Sequence, residues 1–395
     1  MEKVLHGIRV LDFSRYKSGP HAAMLLADMG ADVIRVERPG GEDDRSLGPY
    51  TSDGQRMYLF FTGRNKRGIT LNLEKERGRE ILKELVIRSD VVIENFGPGV
   101  NNKLGLDYES LKQIKPDIIA VAVSAYGQYG PYAYRSGFDC VAQAMSGIMW
   151  LTGFPGGPPT KAGVNIADFS AGIYAALGAV LALYNRDKTG KGQLVDVSLL
   201  DAAVSFMESV FAEYEVLKEV RPQLGNANIF CSPYDAYKAK DGYVYVGVAS
   251  HSVWIKFLEV MGREELADDP RFRTHRDRSK NRQFFTDWLS NWVASKTADE
   301  VVSRFNEVGV PCARVNTIPE VVADSHIRAR EMIVEFDHPG VGKVPIVGIP
   351  IKLSETPGEI KASAPAIGEH NEEVYCDLLG LSLQELRRFK QEGVI

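Results

Sequence analysis

The chain has 395 residues, of which 44% are hydrophobic and 25% charged, with a formal net charge of -5. That length suffices for more than one core, since a single core rarely grows beyond roughly 250–300 residues. The charge balance is that of an ordinary globular protein, and it argues against nucleic acid as a partner and against a disordered acidic tail.

Strand and helix alternate over the first 125 residues. Residues 8–13 read as a buried strand. Residues 20–29 read as a helix, with Pro20 in its first turn and Gly30 just past its end. Segments 32–37 and 68–73 are β-like. Residues 76–89 form an amphipathic pattern with Ile81, Leu82, Leu85 and Val86 on one face. A strand over 91–93 runs into Glu94-Asn95-Phe96-Gly97-Pro98-Gly99, and a helix over 108–114 leads to a strand over 118–123. This alternation predicts an α/β fold with a parallel, doubly wound sheet.

Such a sheet binds ligands beyond the carboxyl ends of its strands. That directs attention to the loops 14–20, 38–45, 94–103 and 124–138. The first loop has no G-x-G-x-x-G, and the chain has no G-x-x-x-x-G-K-[ST], so NAD and ATP are disfavoured as the main ligand.

Small apolar residues dominate 171–184. The stretch is shorter than the roughly 20 residues needed to cross a bilayer, and it is flanked by Asp168 and by Arg186-Asp187-Lys188. It therefore predicts a tightly packed core helix and no membrane association. A strand over 194–198 and a helix from 200 to 218 follow. Composition shifts near Arg221-Pro222-Gln223-Leu224-Gly225-Asn226, as a linker would. Residues 234–248 alternate about a Lys240-Asp241-Gly242 turn. Helices are predicted over 252–261, 280–294 and 297–308, and a strand over 310–315. The expected organisation is a large domain in 1–220, a small α+β domain in 225–325 and a return to the large domain in 326–395. The basic run 271–282 reads as a solvated loop entering a helix, because Glu264, Glu265, Asp268 and Asp269 crowd just before it.

The four cysteines contain no C-x-x-C pair and the seven histidines no H-x-x-x-H pair. The N-terminus lacks the apolar core of a signal peptide. A cytoplasmic protein without a metal site or disulfide framework is expected.

Asp168 stands out within this frame. It opens the apolar stretch in Ala167-Asp168-Phe169-Ser170-Ala171-Gly172. Burying a charge there is costly unless a helix N-terminus or a partner stabilises it. Its local sequence fits an N-cap, and its wider context adds a second reading.

Seven patterns in order surround it: Leu11-Asp12-Phe13-Ser14 with Gly19-Pro20; Gly30-Ala31-Asp32-Val33-Ile34-Arg35-Val36-Glu37; Asn65-Lys66-Arg67-Gly68; Glu94-Asn95-Phe96-Gly97-Pro98-Gly99; Ser124-Ala125-Tyr126-Gly127-Gln128-Tyr129-Gly130-Pro131; Ala167-Asp168-Phe169 with Gly172; and Lys188-Thr189-Gly190-Lys191-Gly192-Gln193. Together they resemble the class III CoA-transferase family, which includes formyl-CoA and carnitine CoA-transferases (CaiB/BaiF). The likeness continues more loosely through Asp269-Pro270-Arg271-Phe272 and Gly309-Val310-Pro311.

The resemblance implies a Rossmann-like large domain built from both chain ends, an inserted smaller α+β domain, and a homodimer of two interlinked rings. It implies that Asp168 is a nucleophile exchanging CoA between an acyl-CoA and a carboxylic acid. Coenzyme A would be a substrate, with no tightly bound cofactor and no metal. The resemblance places Lys17, Arg38, Leu71, Asn95, Phe96, Lys103 and Arg135 around CoA. Arg38 would meet the nucleotide end, Leu71 the adenine through its backbone, Asn95 and Phe96 the channel, and Lys103 a phosphate. Gly156-Gly157 is a candidate lid, and succinyl-CoA a reasonable donor. Lys17 stands where oxalate-acting members carry glutamine, and residues 225–230 lack their Gly-rich loop, which argues against oxalate. The rival is an α-methylacyl-CoA racemase, which needs an acid/base pair. Racemases carry histidine in the middle of Gly137-Phe138-Asp139; Phe138 cannot move a proton.

Overall fold

The computed structural model describes residues 2–50, 57, 59–338 and 341–395, apart from the side chains of Leu59 and Phe60. They form two compact units: Met1–Ile148, Lys161–Ala212 and Ser325–Ile395 in the first, Met149–Thr160 and Glu213–Asp324 in the second.

The first unit holds a six-stranded sheet of β1 (Arg9–Asp12), β2 (Asp32–Glu37), β3 (Lys66–Thr70), β4 (Val91–Glu94), β5 (Ile119–Ser124) and β6 (Leu194–Ser198), in the order β3-β2-β1-β4-β5-β6. Every neighbouring pair is parallel. Its strands are apolar because both faces are covered. One face packs Val10, Val33, Ile93 and Val121 against Ala171, Ala175 and Ala179. The other packs Leu11, Ile34 and Val92 against Ile81, Leu85, Val374 and Phe389. The helix Glu76–Ile87 buries Ile81, Leu82, Leu85 and Val86, the face read from their spacing.

The apolar stretch belongs to a long helix, Ile166–Thr189, of 24 residues. Helix α1 (Ser18–Asp28) packs on it. By length and composition the long helix could cross a membrane, so shortness is no argument against that. Its place in the fold is the better argument. Half of its most apolar window is buried, with Ala167, Ala171, Ala175, Ala179 and Ala182 in the core of the first unit. Small residues let the two helices approach closely: a Cβ on Gly172 would sit 2.7 Å from His21 Nδ1 and 2.8 Å from the Ser18 backbone oxygen.

Two further expectations change. The helix expected over 200–218 is broken into Leu199–Val204 and Val210–Leu217, with Glu208 at φ 48° between them. The third strand begins at Lys66, earlier than its apolar residues suggest, because the buried Lys66 ammonium pairs with Asp12 at 2.7 Å.

The second unit has an antiparallel sheet in the order β7 (Tyr234–Ala239), β8 (Gly242–Gly247), β9 (Cys312–Arg314). Its core gathers Trp254, Phe257, Phe272, Phe285 and Phe305. Segment 149–160, within the 1–220 span read as the large domain, groups here instead. Backbone and side-chain bonds hold it: Gly225 N–H donates to Gly153 O at 2.8 Å, and Gln223 Nε2 to Thr152 O at 2.9 Å. The candidate lid residues Gly156 and Gly157 therefore fall in the second unit.

Candidate active site

In the sheet order, β1 and β4 are neighbours from which the chain proceeds in opposite directions. Loops leaving two such strands diverge and open a crevice. Here they border a cavity of about 680 Å³. Arg15, Tyr16 and Lys17 line it from the loop after β1, and Asn95 and Phe96 from the loop after β4. Arg135 and Phe138 come from the segment after β5, and Asn165 and Asp168 from the start of the long helix.

The two switch-point loops are tied together. Asn95 Oδ1 accepts the Arg15 N–H at 2.8 Å and Asn95 Nδ2 donates to Arg15 O at 2.6 Å. The Arg15 guanidinium lies 4.5 Å over the Phe96 ring. Tyr16 takes φ 64°, uncommon for a residue with a side chain. Its N–H donates to Asp44 at 3.1 Å, and its ring meets Phe138 edge-on at 6.2 Å. Gly19 is required by packing, since a Cβ there would lie 2.3 Å from Ser14 Cβ.

Charged residues beneath these loops are buried and bonded, as burial of charge demands. Asp12 accepts from Lys66 and from the Ser14 N–H and hydroxyl. Glu94 accepts the Phe96 N–H at 2.7 Å and Asn101 Nδ2 at 3.2 Å. Burial still raises the Glu94 carboxyl to about 7.

Asp168 is the third residue of the long helix, whose N-cap is Asn165. It does not cap the helix. Ala167 N–H donates to Asp139 Oδ1 at 2.9 Å and Asp168 N–H to the same oxygen at 3.3 Å. Asp139 opens a separate helix, Asp139–Ser146. Asp168 Oδ2 instead accepts Asn165 Nδ2 at 3.2 Å. Burial lifts the Asp168 carboxyl to about 6. The Asn165 bond opposes that rise, the neighbouring Asp139 charge adds to it, and Lys17 opposes it.

Of the residues read from sequence, Lys17, Asn95, Phe96 and Arg135 share the cavity with Asp168. Arg135 lies 3.9 Å over the Tyr132 ring. Arg38, Leu71 and Lys103 do not line it. Arg38 Nε donates to Gly41 O at 3.0 Å and its Nη2 meets Asp43. The Leu71 side chain is buried in the core, and its N–H donates to Glu37 O at 2.6 Å. Lys103 is exposed on the short helix Val100–Leu104. Among the described lining residues there is no histidine. His21, behind Phe169, is held near pKa 4 by burial and is neutral.

Sequence reading missed Asp139 and Gln143, which hold the start of the long helix. Asp139 enters the sequence patterns only as the neighbour of Phe138. An acidic residue opening a helix was the available signal, but nothing local says that its carboxylate serves a different helix.

The model of CoA-transferase family III matches residues 5–371. The chain is 37% identical over 393 residues to succinyl-CoA--D-citramalate CoA-transferase of Chloroflexus aurantiacus, covering 99% of this chain and 98% of that protein. It is 39% identical over 410 residues to formyl-CoA:oxalate CoA-transferase of Streptomyces coelicolor, covering 100% and 99%. It is 34% identical over 395 residues to succinyl-CoA:glutarate CoA-transferase of Mus musculus, covering 100% and 90%. A solved CaiB/BaiF family protein from Brucella suis matches with a TM-score of 0.84 at 35% identity, over 96% of this chain and 100% of that one.

Proposed function

The chain belongs to CoA-transferase family III and is a CoA-transferase; from that premise we propose that it works through a covalent aspartyl-CoA thioester on Asp168. One observation carries this reading. Asp168 opens a long helix without capping it, and its carboxylate lines the cavity beside Lys17.

The steps balance without an external base. An Asp168 oxygen attacks the donor thioester carbonyl, the C–S bond breaks, and CoA leaves as a thiolate. The product is a mixed anhydride. The thiolate then attacks the aspartyl carbonyl, breaking the anhydride C–O bond and freeing the donor acid as a carboxylate. The acceptor carboxylate attacks the resulting aspartyl thioester, and the same two steps run in reverse. Splitting one exchange in this way is covalent catalysis. Lys17, placed at the N-terminus of α1, supplies positive charge near the oxyanions that form.

Relatives named for succinyl-CoA make succinyl-CoA our proposed donor, and a dicarboxylic or hydroxy acid our proposed acceptor. Lys17, Asn95, Phe96 and Arg135 are assigned to the CoA channel. Arg38 and Lys103, outside the cavity, are assigned to the nucleotide end and to a phosphate of CoA, and Leu71 to adenine through its carbonyl, its N–H being already given to Glu37. The homodimer rests on an apolar stripe of the long helix, where Ile173, Leu177, Leu181 and Tyr184 are exposed. We place the enzyme in the cytoplasm, which suits four free cysteines.

The test is exchange kinetics. Succinyl-CoA offered with a panel of dicarboxylates and hydroxy acids gives double-displacement kinetics with at least one of them. Rapid exchange of the α-proton in deuterium oxide, with no transfer to any acid, would sink this reading in favour of the racemase.

A further inference from the structure

The long helix takes its N-terminal cap from a different helix, and the cap is buried. Asp139 and Gln143 sit one turn apart on Asp139–Ser146, 3% and 0% exposed. Asp139 Oδ1 receives the Ala167 and Asp168 N–H groups. Its Oδ2 receives Gln143 Nε2 at 2.6 Å. Gln143 Oε1 in turn accepts the Ala162 N–H at 3.0 Å, which fixes which way its amide points.

We propose that Asp139, anchored by Gln143, is a positioning residue for Asp168. It occupies the helix amides that would draw the Asp168 carboxylate back against the backbone, and it sets a negative charge beside that carboxylate. The proposal rests on the reading of Asp168 as nucleophile.

A carboxylate at the third position of a helix is attracted to the free first-turn N–H groups and to the positive end of the dipole. Hydrogen bonds to the charged form lower a carboxylate's basicity, and with it its nucleophilicity. In this chain those amides are already taken. Asp168 keeps a single side-chain bond, from Asn165, and lines the cavity. The charged groups facing Asp168 are Asp139, which raises its basicity, and Lys17, which lowers it. Asp139 itself does not compete as a nucleophile, because both its oxygens are bonded and it is almost fully buried.

Two variants test this in the full-length enzyme, with formation of the covalent CoA adduct from succinyl-CoA followed against pH. Asp139→Asn keeps the shape and removes the charge. Gln143→Met removes the anchor and keeps the charge. Both should slow adduct formation about 10- to 100-fold with KM for succinyl-CoA unchanged, as loss of alignment does. Only Asp139→Asn should also move the acidic limb of the profile to lower pH. A purely structural role would move stability and leave that limb in place. A folded Asp139→Asn enzyme with the wild-type rate and limb overturns the proposal. If that variant does not fold, a wild-type rate in Gln143→Met overturns it. Asp168→Asn separates the two readings: an adduct that persists there defeats the nucleophile itself, whereas an adduct lost there but normal in both other variants defeats only the positioning.

Discussion

A carboxyl that must ionise to act, yet is lifted to about 6 by burial, leaves two signatures at the scale of one residue. The first is kinetic. Asp168 attacks only as the anion, so adduct formation should be flat above neutrality and fall as pH drops through about 6. A single-turnover profile reads this directly. The second is thermodynamic. The folded-state value lies above the ordinary carboxylate value, so folding disfavours the charged form, and stability is lost as pH rises from the ordinary carboxylate range through about 6, with no further loss above. Asp168→Asn removes that cost. The variant should be about 1–3 kcal/mol more stable at pH 8, with most of the gain gone by pH 4 and the rest below it, where the carboxyl is protonated in the folded and the unfolded chain alike. Urea melts of the two proteins at pH 8 and pH 4 check the sign. His21 acts in the opposite direction over the acid range: held neutral when folded, it weakens the fold as pH falls below its ordinary value of 6.5 towards about 4.

The elements explain why some of the site could be read from sequence and some could not. Periodicity located the amphipathic helix Glu76–Ile87 and most strands, because the face each buries is written in its own spacing. It also directed attention to the loops after β1 and β4. Asp139, by contrast, acts on a helix 28 residues further along, a relation that no local pattern carries. Segment 149–160 was misplaced for the same reason, since its partners at Gln223 and Gly225 are distant in sequence. Lys66 reads as a surface residue until Asp12 is brought to it. Packing between α1 and the long helix gives the prediction at this scale. Gly172→Ala forces a Cβ against His21 and the Ser18 backbone oxygen, and should destabilise the first unit by about 1–3 kcal/mol. Because Ser18 and Lys17 open α1 at the cavity, the same change should raise KM for acyl-CoA. Thermal melts and steady-state kinetics on one preparation read both effects.

For the whole molecule, the long helix is the element with two jobs. Its buried alanines close one face of the sheet, while Ile173, Leu177, Leu181 and Tyr184 remain exposed along its other side. An apolar stripe of this kind marks an interaction surface. In the dimer we propose, that stripe is covered by the second copy. Leu181→Glu combined with Tyr184→Glu should then shift the sedimentation coefficient from that of a dimer to that of a monomer. A wild-type protein that sediments as a monomer at micromolar concentration would contradict the assignment.

Whether CoA is carried on Asp168 can be read from the enzyme itself. The enzyme is mixed with succinyl-CoA alone, reduced with borohydride, digested, and the peptides weighed. An aspartyl thioester is reduced to an alcohol, whereas a free carboxylate is not. An alcohol is expected at Asp168, present only when succinyl-CoA was added and lost when a good acceptor acid is added before reduction. An unmodified Asp168 peptide in an enzyme that still transfers CoA, or an alcohol at Asp139 instead, would contradict it.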